Sequence, residues 1–165
     1  MTIIIKNKET LLIDDFKFRC SVGKGGLSKN KIEGDLKSPI GIFELGNIYY
    51  RPDKVEKPKS KIKTIAIKKN MGWCDDPKSK YYNKLIKIKK NIKISYEKLY
   101  RKDNKYDLFI LIKYNYNKPL KNKGSAIFLH LTKNYLPTKG CIAIKRDDFC
   151  ILAKLINKKT KIKII

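Results

Sequence analysis

Residues 125–144 read SAIFLHLTKNYLPTKGCIAI, two apolar runs separated by a short turn-rich connection. The first run, Ser125–Leu131, predicts a buried strand that contains His130, and the second, Cys141–Ile144, predicts another short strand. Proline, threonine and glycine in the connection favour a compact loop. This stretch therefore predicts two adjacent strands that bring one histidine and one cysteine together on a rigid scaffold.

His130 is the only histidine of the chain, and Cys141 follows it by eleven positions. A thiol becomes a strong nucleophile when it loses its proton, and imidazole accepts protons near neutral pH. Each residue by itself is more often a packed core residue, but glycine before Cys141 permits a close backbone approach. The amides of Gly140 and Cys141 are then candidate donors to an oxyanion. The segment thus predicts a catalytic dyad with a lowered pKa at Cys141.

Three segments, in order along the chain, resemble the L,D-transpeptidase (YkuD) catalytic domain. After His130, Thr138–Ile142 (TKGCI) matches the family pattern Ser/Thr-x-Gly-Cys followed by an apolar residue. Far upstream, Gly34–Phe43 (GDLKSPIGIF) resembles the family's Ser/Thr-Pro-x-Gly-x-Phe segment. The stretch Gly72–Asn83 (GWCDDPKSKYYN) resembles a branch of small proteins within the family. The resemblance extends over about residues 23–151.

The resemblance implies a mostly β catalytic domain that acts on peptidoglycan stem peptides. In this family a cysteine thiolate attacks the carbonyl of an L-to-D peptide bond and forms a thioester. By that analogy Cys141 is the nucleophile and His130 its base. An amine acceptor then gives a crosslink, the transpeptidase outcome, whereas water gives L,D-carboxypeptidase activity.

Two positions depart from the family pattern. Lys139 stands where many members have a second histidine, and Ala143 stands where many have arginine or asparagine. The spacer between His130 and Cys141 is also shorter than in the commonest pattern. These departures leave open how a substrate carboxylate is held and which acceptor is used. Two other function classes stay open: a cysteine amidase for a different amide, and a non-catalytic basic module that binds nucleic acid or wall polymer.

The composition is strongly basic, with 40 Lys plus Arg against 15 Asp plus Glu and a net charge of +25. Only four of these cations are arginines, and the lysines are spread along the whole chain. Specific recognition of nucleic acid relies on arginine forks and local clusters, so nucleic acid is not the expected partner. A basic surface suits an anionic polymer such as peptidoglycan. A length of 165 residues predicts a single domain, residues 1–165, and we expect a monomer.

The four cysteines, Cys20, Cys74, Cys141 and Cys150, form no C-x-x-C pair and share one histidine. A zinc site needs closer ligand spacing, so neither a metal nor another cofactor is expected. Cys20 falls in a strand-like alternation and Cys150 on a predicted helix, so both are expected to be packed in the core. Whether any of them forms a disulfide stays open.

Short β-branched runs dominate the chain and predict a β-sandwich or barrel-like sheet with one or two short helices. One helix is expected at 96–101, after Ser95 as a cap. The other is expected from Asp147, with apolar residues at i, i+3, i+4 and i+7. The predicted strands are 2–5, 11–13, 16–22, 41–45, 61–67, 106–114, 125–131, 141–144 and 161–165.

Beyond the dyad, several polar and aromatic residues are candidates for substrate contact. Trp73 either touches substrate or packs under its own loop. The two adjacent acids either orient a diaminopimelate amine or cap a turn, and Arg101 either lines the cleft or forms a surface salt bridge. Thr138 hydrogen-bonds either the loop backbone or the dyad. The full set of substrate-binding candidates is Trp73, Asp75, Asp76, Tyr82, Arg101 and Lys139.

The N-terminus carries no secretory signal pattern, because residues 1–8 are too short an apolar stretch and are soon charged. No apolar run reaches the length of a membrane span. The resemblance implies a place in the cell envelope. The two observations leave the periplasm and the cytoplasm both open.

Overall fold

Fourteen short strands and one helix form the regular structure of residues 1–165, described here by a computed structural model. The elements in chain order are β1 (Thr2–Lys6), β2 (Thr10–Ile13), β3 (Phe16–Ser21), β4 (Leu27–Ser28), β5 (Ser38–Pro39), β6 (Gly41–Tyr50), β7 (Thr64–Ala66), β8 (Met71–Cys74), β9 (Leu85–Lys87), β10 (Tyr96–Lys98), β11 (Leu108–Ile112), β12 (Phe128–Leu131), β13 (Ile142–Ile144), α1 (Arg146–Leu155) and β14 (Lys161–Ile164).

Eight of these strands close into a barrel in the order β11-β12-β13-β3-β2-β1-β14-β6, because β11 also pairs with β6. Strand β7 extends the sheet beside β6. Most neighbours are antiparallel, but β1 runs parallel to β14, β12 runs parallel to β13, and β7 runs parallel to β6. Closure leaves the barrel without a free edge. The mostly β, barrel-like prediction is therefore confirmed.

The strands at the site bury both of their faces, which explains their nearly continuous apolar sequence. Along β11, Leu108, Ile110 and Ile112 point into the barrel core, whereas Phe109 and Leu111 belong to a second cluster outside it. Alternation along a strand sends successive side chains to opposite faces. The three-stranded sheet β10-β8-β9 lies over the outer cluster. A two-sided core of this kind surrounds the strand ends that carry the candidate dyad.

Helix α1 forms where the helical periodicity predicts it. Asp147 and Asp148 lie in its first turn, where carboxylates favour the helix dipole. Its buried residues Phe149, Leu152 and Ala153 join the barrel core. The helix expected from Asp147 is therefore confirmed.

The helix predicted at 96–101 is wrong. Residues Tyr96–Lys98 form strand β10 instead, which pairs antiparallel with β8 and places Glu97 opposite Trp73. A short helix would satisfy few of its own backbone groups, whereas pairing with β8 satisfies them and seals the outer cluster. Tertiary pairing therefore overrides the local pattern at this segment.

Several predicted strand boundaries also shift. Strand β6 continues to Tyr50, beyond the predicted 41–45, and β7 is shorter than the predicted 61–67. Strand β12 begins at Phe128 rather than Ser125, because Ala126 adopts a left-handed backbone with φ of 52°.

Gly46 of β6 makes a close approach to β11. A Cβ atom at this position would lie 2.7 Å from Leu111 Cδ2 and 3.0 Å from Leu111 Cβ. We predict that Gly46→Ala lowers the free energy of unfolding by about 1–3 kcal/mol through overpacking. Urea unfolding of both single variants and the Gly46→Ala/Leu111→Ala double variant gives the check. The alanine at 46 should cost much less once Leu111 is truncated, and strictly additive costs would contradict the overpacking.

Candidate active site

A cleft of about 520 Å³ opens on the outer face of the barrel, over the neighbouring strands β12 and β13. In the parallel register His130 lies opposite Ala143, so Cys141, two residues earlier, points to the same face as His130. Both side chains line the cleft. Tyr106, Glu97, Arg101 and Lys31 are among the other lining residues.

Cys141 is 8 % exposed, and its sulfur is held by two backbone groups. The Phe128 N–H donates to Sγ at 3.3 Å, and the thiol donates to the Ala126 carbonyl at 3.2 Å. Burial, followed by the charge of Glu97, raises the pKa of Cys141 to about 12. The lowered pKa expected from the sequence is therefore wrong for the resting protein, in which Cys141 is a neutral thiol.

His130 is buried and neutral. Its Nδ1 lies 2.8 Å from the Leu131 carbonyl, and since a carbonyl only accepts, Nδ1 carries the proton and Nε2 keeps its lone pair. Burial lowers the pKa of His130 to about 4. No hydrogen bond joins the imidazole to Cys141 Sγ. The pair thus rests as thiol and neutral imidazole, and proton transfer requires their closer approach.

The loop before Cys141 is organised by Thr138. Its hydroxyl donates to the Cys141 carbonyl at 2.6 Å and accepts from the Gly140 N–H at 3.0 Å. The structure therefore matches the loop-backbone alternative for Thr138. Of the two amides proposed for an oxyanion, that of Gly140 is engaged, whereas the Cys141 N–H has no acceptor in the protein.

Ser38, from the Ser-Pro-x-Gly-x-Phe segment, clamps this loop from the far side. It is fully buried, and its hydroxyl donates to the Gly140 carbonyl at 2.7 Å and accepts from the Gly23 N–H at 2.9 Å. Gly140 has a φ of 139°, and a Cβ there would lie 2.9 Å from the Lys37 carbonyl oxygen, which explains the glycine. Sequence inspection found the segment but assigned Ser38 no role.

Asn83 supports the strand break that faces the thiol. It is 1 % exposed, and its Oδ1 accepts from the Ala126 N–H at 3.0 Å and from the Trp73 indole at 2.9 Å. Its Nδ2 donates to the carbonyls of Tyr114 and Asn115, so the side chain is fully satisfied. The amide thereby holds the left-handed residue whose carbonyl accepts from Cys141.

The substrate-binding candidates separate into two groups. Asp75, Arg101 and Lys139 line the cleft. Trp73 is fully buried and packs edge-on against Phe128 in the outer cluster, which matches the packing alternative.

The remaining two candidates lie outside the cleft lining. Asp76 accepts from the Lys78 N–H at 2.9 Å and so caps a turn. Tyr82 is buried, its hydroxyl donates to Glu33, and it accepts from the Gly124 N–H at 3.0 Å. Asp76 and Tyr82 therefore stabilise the local structure around them.

A polar cluster beside Cys141 contains Arg101, which was a candidate from the sequence, and Tyr106 and Glu97, which were not. Tyr106 donates to Glu97 Oε1 at 2.6 Å, and Arg101 Nη1 lies 3.9 Å from the same oxygen. The Tyr106 ring also packs edge-on against His130, with 5.4 Å between ring centroids. Burial raises the pKa of Glu97 above its usual range. Glu97 was not singled out from the sequence, and its segment was expected to be helical.

Comparison with known protein families adds a finding to this geometry. The sequence model of the L,D-transpeptidase catalytic domain (YkuD) matches residues 1–164. The chain belongs to the YkuD family. No curated protein and no solved structure gives a significant match to it. The YkuD family comprises cysteine-dependent L,D-transpeptidases that act on peptidoglycan peptides and are typically associated with the cell wall.

The YkuD match confirms the resemblance seen in the sequence, and it covers essentially the whole chain. All four cysteines of the structure are free thiols. No group of three or more potential metal ligands is present. No helix combines the length and apolar character needed to cross a membrane.

The single histidine permits a direct test of its environment. Because burial lowers the pKa of His130 from 6.5 to about 4, the neutral imidazole stabilises the fold above pH 6.5, and this contribution is lost as the pH falls toward 4. Between pH 7 and 5 we expect a loss of about 2 kcal/mol in the free energy of unfolding from this residue. Urea unfolding of wild type and His130→Gln gives the difference. An NMR titration of the one histidine with a midpoint near 6.5 would refute the buried neutral state.

Loss of the Ser38 hydroxyl should destabilise the loop that precedes Cys141. Ser38→Ala leaves the Gly140 carbonyl and the Gly23 N–H buried without this partner. We expect the free energy of unfolding to fall by about 1–3 kcal/mol. Ser79→Ala is the matched control, because its hydroxyl accepts only from the nearby Tyr81 N–H at an exposed turn. Equal melting temperatures for the two variants would contradict the clamp.

Proposed function

We propose that this protein is a cysteine acyl-transferase that cleaves an L-to-D peptide bond in peptidoglycan stem peptides through a thioester at Cys141. One observation carries the proposal: in a YkuD chain, Cys141 and the only histidine line one cleft, and the Cys141 N–H has no acceptor in the protein. The family's association with the cell wall supports the same site of action, the cell envelope.

The proposed acylation starts from the neutral pair. As the substrate carbonyl approaches, the Cys141 S–H proton passes to His130 Nε2 while Sγ bonds to the carbonyl carbon. The negative charge that develops on the carbonyl oxygen is stabilised by the Cys141 N–H, which has no other acceptor. The His130 imidazolium then gives its proton to the leaving amine, and the C–N bond breaks. A thioester and a free D-amino acid result.

The second half of the reaction uses the same groups in reverse. An amine of a second stem peptide, or water, loses a proton to His130 as it attacks the thioester, and Cys141 leaves as the thiol. Neutral imidazole is the required form in this step, and burial keeps His130 neutral at physiological pH. The acceptor decides whether the product is a crosslink or a shortened peptide.

Charged groups at the cleft suit a substrate that carries both amines and carboxylates. Lys139 and Arg101 supply positive charge, and Asp75 supplies a carboxylate. Asp75 is steadied by the Ser95 hydroxyl at 2.5 Å. We assign these three residues to substrate binding, and Trp73, Asp76 and Tyr82 to support of the surrounding structure.

Replacement of the nucleophile tests the proposal. We expect Cys141→Ala to reduce the turnover of disaccharide-tetrapeptide muropeptides by several orders of magnitude. The fold should survive, because the loss of one buried sulfur and its two hydrogen bonds costs about 1–3 kcal/mol. Mass spectrometry of the products is the measurement. Cys150→Ala, at a half-buried position on α1, is the matched control and should retain full activity.

The products of the same assay separate the alternatives. Crosslinked dimers indicate transpeptidation, and tripeptides alone indicate carboxypeptidase activity. Full turnover by Cys141→Ala would exclude the thioester mechanism. An inactive wild type that binds wall polymer in a salt-sensitive way would favour a binding module instead.

A further inference from the structure

Tyr106 lines the same cleft as Cys141 and His130. It is 5 % exposed and belongs to the same outer cluster as Cys141. Its ring packs against His130 and, at 5.6 Å between centroids, against Phe128. Its hydroxyl donates to Glu97 at 2.6 Å. Nothing in the mechanism above uses this hydroxyl.

A thiolate at Cys141 would have few hydrogen-bond donors. In the resting structure Sγ accepts only from the Phe128 N–H, at 3.3 Å. The Ala126 carbonyl, which accepts from the thiol, would face a thiolate with its negative end. A buried anion requires compensating donors, and the one donor at Phe128 is a weak complement. A charged sulfur at this site would therefore need a second hydrogen-bond donor.

Tyr106 and Glu97 act on the thiol in opposite directions. After burial, the charge of Glu97 is the next cause of the raised pKa of Cys141, whereas the Phe128 N–H, the charge of Lys31 and, as a donor available to a thiolate, the Tyr106 hydroxyl lower it. Burial and Glu97 also raise the pKa of Tyr106 well above its usual range, so Tyr106 keeps its proton. The other charged groups that act on these residues are Lys31, Asp75, Arg101 and Lys139.

We propose that Tyr106 is a further catalytic residue of this site, whose hydroxyl donates to Glu97 at rest and to the Cys141 sulfur once the thiol has lost its proton. The proposal rests on Cys141 as the nucleophile of the proposed function. The S–H proton still moves to His130, and the Tyr106 O–H bond stays intact throughout. Only the acceptor of its hydrogen bond changes.

The contacts of Glu97 allow the Tyr106 hydroxyl to change its acceptor. Arg101 Nη1 lies 3.9 Å from the same Glu97 oxygen that accepts from Tyr106. Two hydrogen bonds of 2.6–2.9 Å to Asp103 hold the Arg101 guanidinium in place. Glu97 therefore keeps a positive partner when the hydroxyl turns away. At rest, the carboxylate holds the donor and favours the neutral thiol.

Alkylation of Cys141 by iodoacetamide from pH 6 to 10 tests the proposal without a peptide substrate. The rate is read from the mass of the peptide that contains Cys141. We expect Tyr106→Phe to slow alkylation at pH 8 about tenfold, because a hydrogen bond to the thiolate is lost. We expect Glu97→Gln to accelerate it, because the opposing negative charge is removed while the amide oxygen can still accept from Tyr106.

Tyr96→Phe is the matched control, since Tyr96 lines the same cleft and its hydroxyl makes no hydrogen bond in the protein. It should alkylate at the wild-type rate. If Tyr106 and Glu97 had only structural roles, Tyr106→Phe and Glu97→Gln would change the alkylation rate in the same direction, and both would lower the melting temperature. Wild-type alkylation of Tyr106→Phe, or slower alkylation of Glu97→Gln, would overturn the proposal. Opposite shifts in a protein that turns over no muropeptide would uphold Tyr106 and reject the proposed reaction.

Discussion

The packing of the three-stranded sheet on the outer face of the barrel decides the chemistry of the site. Trp73 from this sheet packs against Phe128 of the barrel, and the space between the layers includes Cys141. Exclusion of water raises the pKa of the thiol and lowers that of His130, so neither group is charged at rest. In such a dry site, proton transfer from the thiol to the imidazole would need groups that stabilise both developing charges.

Two buried polar side chains hold the backbone against this packed interior. Asn83 fixes Ala126 in a left-handed conformation, and Ser38 ties Gly140 to a turn that is distant in the chain. A non-glycine residue with positive φ is strained, and such strain persists only where neighbouring contacts enforce it. The result is a sulfur held between an amide donor and a carbonyl acceptor, with the Cys141 N–H left free. Stability supplied by the two cores supports a local arrangement that is itself costly.

Local patterns located the C-terminal helix and the barrel strands of this lysine-rich chain. Helix α1 follows from the spacing of Phe149, Leu152 and Ala153, which needs no distant contact. The segment 96–101 was expected to form a helix because Ser95 can cap it, whereas its partner for strand pairing, β8, lies more than twenty residues earlier in the chain. The strands of the barrel were located, but their ends shifted where long-range hydrogen bonds break the regular backbone.

The sequence by itself determined the family, the mostly β fold and the neighbouring strands that carry His130 and Cys141, because those features depend on short motifs and on periodicity. Only the tertiary structure decided the ionisation of the pair, the free amide and the Tyr106 cluster. Those properties depend on burial and on contacts between distant residues, such as the 102 positions that separate Ser38 from Gly140. A pKa responds to the solvent and charge around a group, and neither is encoded in its sequence neighbours.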